Sequence, residues 1–295
     1  MEYIPAKTIV TRTESTAWFG YSHNMNLYKG CCHGCIYCDS RSDCYGIEGF
    51  DRVRAKENAL QIIRDELRRK VKTGVVGTGA MSDPYNPFEK KLCLTRHALE
   101  LLDAYGFGVG IATKSDGIVR DTDILTEIAS HSPVLCKITI TTYDDDLCKR
   151  IEPHVAPSSK RFETLGQLAE KGLFTGILLM PVLPFLEDSI HNVREIVRRA
   201  KRANVRFIYP AFGMTLRGNQ REWYLQKLEA LFPGQNLREQ YQKTFRDRYE
   251  CRSPHAAELW KFFSNDCEQA GILYRMQDII RASQLGYGSE QLRLF

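Results

Sequence analysis

The stretch YKGCCHGCIYCDSRSDCYG, residues 28 to 46, holds five of the chain's ten cysteines. Thiols set this close together bind metal, pair as disulfides or do redox chemistry, and the compartment decides among these. The run MEYIPAKTIVTRTES at the N-terminus has neither the apolar stretch nor the small-residue cleavage site of a signal peptide, and no segment approaches the length of a membrane span. The expectation is a cytoplasmic protein without membrane contact, in which a reducing milieu leaves thiols unpaired and available to metal. With 295 residues, 43% of them hydrophobic, the chain can bury a large core without disulfide staples.

Two ligand registers fit the cluster. One is Cys31-x3-Cys35-x2-Cys38; the other is Cys32-x2-Cys35-x2-Cys38 with Cys44 as a fourth ligand. The second resembles a ferredoxin-type electron carrier, although its fourth cysteine comes late and no proline follows it. Zinc held by four of Cys31, Cys32, His33, Cys35, Cys38 and Cys44 is a third arrangement, in which the thiols would stabilise a non-catalytic nucleic-acid-binding protein. The first register carries a chemical meaning of its own. Three thiolates leave one iron of a cubane cluster open, and an open coordination position is where a substrate or cofactor binds.

Such side chains need elements to position them, and from residue 53 onward the pattern alternates. Leu60, Ile63, Leu67 and Val71 recur at steps of three and four, predicting an amphipathic helix, and TGVVGTG follows as a short buried strand. The cycle repeats through LTRHALELLDAYG and FGVGIAT, DTDILTEIAS and PVLCKITITT, then SSKRFETLGQLAEKG and FTGILLMPV, and last DSIHNVREIVRRAKRANV and RFIYPAF. Ser158 or Ser159 is the expected N-cap of the third of these helices, and Gly172 its stop. With a weak first strand around MNLY, about six βα units follow one another, implying a parallel sheet that is doubly wound or partly closed into a barrel. The cysteines then lie just past the first strand, at the C-terminal edge where both architectures build their sites. After residue 215 the pattern is helical without a clear strand. The expected organisation is a barrel over 1–215 and a helical C-terminal region with a flexible tail over 216–295.

GCCHGCIYC resembles the CxxxCxxC motif of radical S-adenosylmethionine (SAM) enzymes, including the aromatic Tyr37 directly before the last cysteine. The similarity continues through GTGAMSDPYNPFEKKLCLTRHALELL, ATKSDGIVRD, ITITTYDDDLCKRIEPHVAPSSKRFETLGQL and GILLMPVLP, in the order and spacing of the branch related to spore photoproduct lyase. This resemblance implies an α/β partial TIM barrel of six βα units. It implies a [4Fe-4S] cluster on Cys31, Cys35 and Cys38 whose open iron binds SAM through its amino and carboxylate groups. One electron, from a flavodoxin- or ferredoxin-like donor, then cleaves SAM to methionine and a 5′-deoxyadenosyl radical that abstracts hydrogen from a substrate. Tyr37 is placed beside the adenine by this likeness, Ser82 and Asp83 near the methionyl group, where a carboxylate suits an ammonium partner, and Lys114, Thr139 and Thr141 at further SAM contacts. Glu152 and Arg161 match charged positions of the branch without an assigned role. One departure limits the transfer: Ala80 stands where spore photoproduct lyase has a hydrogen-donating cysteine, so repair of a thymine dimer by that route is not carried over.

Other features have plainer readings beside their functional ones. Ser82 and Asp83 before Pro84 suit a turn, Lys114 a solvated loop, and the remaining cysteines small buried core positions. Residues 191–206 hold six basic residues against one acidic, an excess equal to the net charge of +5 for the whole chain. Such a helix could track the phosphates of a nucleic acid. Its apolar residues Val193, Ile196, Val197 and Ala200 suit a helix covering a barrel equally well. The last five residues, Gln291–Phe295, resemble the short peptide by which bacterial proteins dock on the replication sliding clamp, with Arg293 a departure from it. These features make nucleic acid, with DNA repair, and a sliding clamp the candidate partners.

Overall fold

The computed structural model describes residues 1–70 and 72–287; Val71 and the tail segment Gln291–Phe295, with its clamp-like peptide, lie outside the described residues. Six strands carry the architecture: β1 (Tyr21–Met25), β2 (Val75–Thr78), β3 (Gly108–Thr113), β4 (Val134–Thr139), β5 (Phe174–Leu179) and β6 (Phe207–Pro210). They pair in sequential order and in parallel, each with the next. The strand Val10–Arg12 adds antiparallel to the free edge of β1. The helices that return the chain between strands include α1 (Ala59–Arg68), α2 (Leu94–Ala104), α3 (Thr122–Ala129), α4 (Ser158–Glu170) and α5 (Ile190–Arg202). The result is the expected α/β partial barrel of six βα units.

Both faces of the sheet are buried along β2 to β5, which is why those strands read as apolar runs rather than as alternating ones. Outward-facing Val76, Val109, Ile111, Cys136, Ile138, Ile177 and Ile208 pack beneath the helices. Inward-facing Val75, Leu135, Leu178 and Phe207 join Phe19 and Tyr21 in a second core inside the curve of the sheet. Ile63 and Leu67 of α1 are buried one turn apart, as their spacing requires. The basic helix α5 buries Val193, Ile196, Val197 and Ala200. Arg194 pairs with Asp266, Arg198 with Glu195, and Arg199 donates to the Tyr143 carbonyl. It is a barrel-covering helix, with these cations engaged by the protein itself.

After β6 come the helices α6 (Gly218–Leu231), α7 (Leu237–Phe245), α8 (Ala256–Ala270) and α9 (Met276–Ser283). Leu259, Phe263 and Cys267 of α8 belong to the main core, and Ile279 of α9 to the inner one. Leu273, between them, bridges in parallel to Phe207 and occupies the open edge of β6.

Three local expectations differ from the structure. The first strand is Tyr21–Met25 rather than a segment around MNLY, because Tyr28–Lys29 pairs instead with Arg54–Lys56 in a small separate sheet. The region after residue 215 is not strand-free: Glu250–Arg252 pairs antiparallel with Gly213–Thr215. Neither serine caps α4, since Pro157 holds the N-cap position, Ser158 is already helical and Ser159 is held by Asp145. Gly172, with φ of +77°, does end that helix.

Candidate functional site

The segment after β1 crosses the C-terminal ends of the strands and is pinned along its length. Cys31 donates its backbone N–H to the Phe50 carbonyl at 2.8 Å, and Ile36 to that of Ile151 at 3.0 Å. Ser82 Oγ donates to the Gly30 carbonyl at 2.6 Å, and Gln220 Nε2 to the Tyr37 carbonyl at 3.2 Å. Gly30 permits this approach: at φ of +81° a Cβ there would lie 2.4 Å from the Arg52 carbonyl oxygen. A loop built of short turns is thereby held as firmly as a regular element.

Cys31, Cys35 and Cys38 all line a single cavity of about 340 Å³ over the strand ends, within the size range of ligand sites. Tyr37, Ser82, Asp83, Lys114 and Thr139 line the same cavity. Cys32 faces a different groove, with Arg41 and Trp223, and Cys44 is exposed on the short helix Asp43–Tyr45. Thr141 does not reach the cavity; it is buried beyond the end of β4, where its carbonyl accepts from Asn192. Ala80 lines the cavity, so the place expected for a donor thiol carries a methyl group.

The thiols are buried enough to be neutral on their own. Burial pushes Cys31 up to about 12, and raises Cys35 and Cys38 as well. Metal binding at these positions would release protons, since the thiolate is the ligand. Among the described residues, no three His, Cys, Asp or Glu side chains converge as one ion requires. A cubane cluster makes a different demand, because its three thiolates bind three separate irons.

Asp83 is tied into the site by three donors: the backbone N–H of Tyr85 at 2.8 Å, Thr113 Oγ1 at 2.7 Å and the backbone N–H of Lys114 at 2.8 Å. His33 Nδ1 stands 3.6 Å from the same carboxylate. Asp83 thus joins β2 to β3 and to the cysteine loop. The turn reading of Ser82 and Asp83 is correct as far as Tyr85, and incomplete, because Ser82 also holds the cysteine loop and Asp83 the end of β3.

Glu152 and Arg161 explain each other. Tyr37 Oη donates to Glu152 Oε1, and Arg161 to Oε2 at 2.5 Å. Arg161, fully buried, also donates to the carbonyls of Thr139 at 2.8 Å and Ala156 at 2.7 Å. Burial opposes the Glu152 charge, but Arg161, Lys114 and the Tyr37 hydroxyl outweigh it and hold the carboxyl below its usual range. The pair braces the ring of Tyr37, over which Lys114 Nζ stands 5.7 Å from the centroid. Sequence reasoning missed a second feature of the cavity altogether: Lys137 and Tyr21 line it from inside the barrel.

Comparison with known proteins gives the family and the fold. The model of the radical SAM superfamily matches residues 25–200. An uncharacterised protein of Mycobacterium tuberculosis is 27% identical over 247 residues, covering 81% of this chain and 72% of that one. An uncharacterised Methanocaldococcus jannaschii protein is 33% identical over 180 residues, 60% of this chain and 66% of that one. Among solved structures, spore photoproduct lyase with bound AdoMet and dinucleoside spore photoproduct superposes with a TM-score of 0.64 at 14% identity, over 92% of this chain and 82% of that one. The methyltransferase TsrM from Kitasatospora setae, with cobalamin and a [4Fe-4S] cluster, gives a TM-score of 0.56 at 11% identity, over 88% and 60%.

Proposed function

The chain belongs to the radical SAM superfamily, whose members use a [4Fe-4S] cluster and SAM, and from that membership we propose that residues 31–38 form the cluster loop of a SAM-cleaving enzyme. The observation that carries this reading is the shared cavity: Cys31, Cys35 and Cys38 open onto it and Cys32 does not. The donor set fits the group, being three thiols on a fixed loop beside polar side chains suited to an amino acid. When bound, the reduced cluster supplies the electron that cleaves SAM to methionine and a 5′-deoxyadenosyl radical for hydrogen abstraction.

The chain's own residues then have separable tasks. Cys31, Cys35 and Cys38 would hold the cluster. Ser82 and Asp83 stand by the methionyl end, where a carboxylate suits an ammonium, and Lys114 and Thr139 complete that wall. Tyr37, fixed by Glu152 and Arg161, orients the adenine. An electron donor of flavodoxin or ferredoxin type belongs to the proposal. A substrate linked to nucleic acid is the reading supported by the net charge of +5 and by the likeness to a lyase that binds a dinucleoside photoproduct. With Ala80 in the cavity, any hydrogen returned to a product radical comes from a group other than a thiol at that position.

The test is anaerobic reconstitution with iron and sulfide, then dithionite and SAM, with chromatography for 5′-deoxyadenosine. The expected result is deoxyadenosine from the wild-type protein and from Cys32→Ala, and none from Cys38→Ala. A cluster that leaves SAM intact would point to an electron carrier, and retention of zinc alone to a structural thiol site.

A further inference from the structure

The inner wall of the cavity holds two polar groups that the cofactors' assigned contacts do not use. Lys137 is only 2% exposed, yet it lines the cavity. Its Nζ is paired with no carboxylate among the described residues; it stands 4.6 Å from the ring centroid of Phe19 and 4.4 Å from that of Tyr21. Tyr21 Oη, also buried, has no hydrogen-bond partner among the described residues. Aromatic faces attract a buried cation through their quadrupoles but supply no hydrogen-bond acceptor in the way a carboxylate does. An ammonium taken out of water loses its hydration, and no carboxylate among the described residues replaces it. An unpaired amine and an unpaired phenol in the wall of one cavity are candidates for holding a ligand.

The surroundings leave room for that ligand. Lys137 pairs in register with Ala112 on β3 and Gly176 on β5, so small residues flank it on both sides. The ring of Tyr21 lies across β2 and β3 where a Cβ at Gly77 or Gly110 would come within 2.3 or 2.2 Å of it. Lys137 precedes Thr139 by two residues on the same face of β4, about 7 Å deeper in the barrel. It therefore lies below the shelf of Cys31, Ser82, Asp83 and Lys114, on the side away from the loop.

We propose that Lys137 and Tyr21 form an oxyanion-binding floor, and that the enzyme's substrate carries a carboxylate or phosphate group that docks on it. The inference rests on the cofactor assignment above, which fills the upper part of the cavity and leaves the floor to the substrate. The ammonium and the phenol O–H are both donors, carried by two strands into the wall of one cavity, which suits an oxyanion better than a cation or an apolar group.

The experiment follows the melting temperature of the reconstituted protein, with saturating SAM, against inorganic phosphate and against acetate, ionic strength being held constant with chloride. Phosphate or acetate should raise it saturably, the more effective probe identifying the substrate's group. Lys137→Met should weaken that anion by about tenfold or more, and Tyr21→Phe by about fivefold. Lys137→Arg keeps the charge and should retain the response; it and Tyr21→Phe carry the test if the methionine variant does not fold. No anion effect, or an equal effect in the variants, overturns the proposal. So does a shift seen only without SAM, which would assign the amine to the cofactor's carboxylate. Deoxyadenosine formation by the wild-type protein tests the cofactor reading separately, so failure of the anion response alongside normal SAM cleavage sinks this inference alone.

Discussion

Lys137 shows how one side chain can be set against the stability of its own fold. Burial pushes its ammonium down to about 7 from the 10.5 of a free lysine, with no charged neighbour opposing. Between those two values the unfolded chain holds a proton that the folded one does not, so stability rises with pH across the window. Below about pH 7 the amine is charged in both states and the full cost of its burial is present. Lys137→Met removes that cost. In chloride buffer it should melt above the wild type at about pH 6.5, with the gap narrowing by about pH 9. A variant that melts lower at both values would show the amine to be a stabilising cation–π element instead. None of this was legible in PVLCKITITT, where a lysine in a strand reads as a solvent-facing position. Its lack of a partner is a property of the assembled barrel. The cysteines were legible because the spacing of cluster ligands is local. Glu152 and Arg161 carried only a likeness until the fold paired them and set Glu152 against the hydroxyl of Tyr37.

Elements matter here through the joints between them. Gly79 ends β2 and starts the turn that carries Ala80, Met81, Ser82 and Asp83 into the cavity. Its φ is +92°, and a Cβ would sit 1.9 Å from the Ala112 carbonyl oxygen on β3. Because the obstacle is sheet backbone, nothing can swing aside. Gly79→Ala should cost more than about 3 kcal/mol in urea unfolding and weaken SAM binding. Gly172, with φ of +77° and nothing within 4 Å of a Cβ, is the control, at about 1 kcal/mol for Gly172→Ala. Equal costs at the two sites would mean that the β2 turn relaxes and does not fix Ser82 and Asp83. Strands β2 to β5 and the helices between them were readable, since those strands are buried on both faces and those helices show an apolar stripe. What escaped was pairing over distance. Tyr28 reads as part of a first strand until Arg54–Lys56 claims it, and Glu250–Arg252 reads as a link between helices until it meets Gly213–Thr215.

At the scale of the molecule, the C-terminal segment closes what the six strands leave open. Leu273 bridges to the free edge of β6, Ile279 of α9 enters the inner core beside Phe19, Tyr21 and Phe207, and the Phe19 backbone N–H points at Met276 Sδ at 3.3 Å. Phe19 is one of the two rings beneath Lys137. The floor of the cavity is therefore buttressed from outside the barrel by a segment that lies 257 residues further along the chain. The cysteine loop, at the other end of the strands, is pinned instead by Phe50, Ile151, Ser82 and Gln220. Deleting residues 272–295 should thus act unequally. It strips Ile272 and Ile279 from the core, each worth about 2 kcal/mol or more when fully buried. A loss of about 4 kcal/mol corresponds to a fall in melting temperature of roughly 8–16 °C for a chain of this size. The truncated protein should bind a hydrophobic dye at the exposed inner core and lose its response to oxyanions, while its reconstituted iron content stays close to that of the full chain. Loss of iron in step with the oxyanion response would mean that the two ends of the barrel form one cooperative unit, with the loop dependent on α9. Retention of both would mean that Phe19 and Tyr21 hold the floor without it.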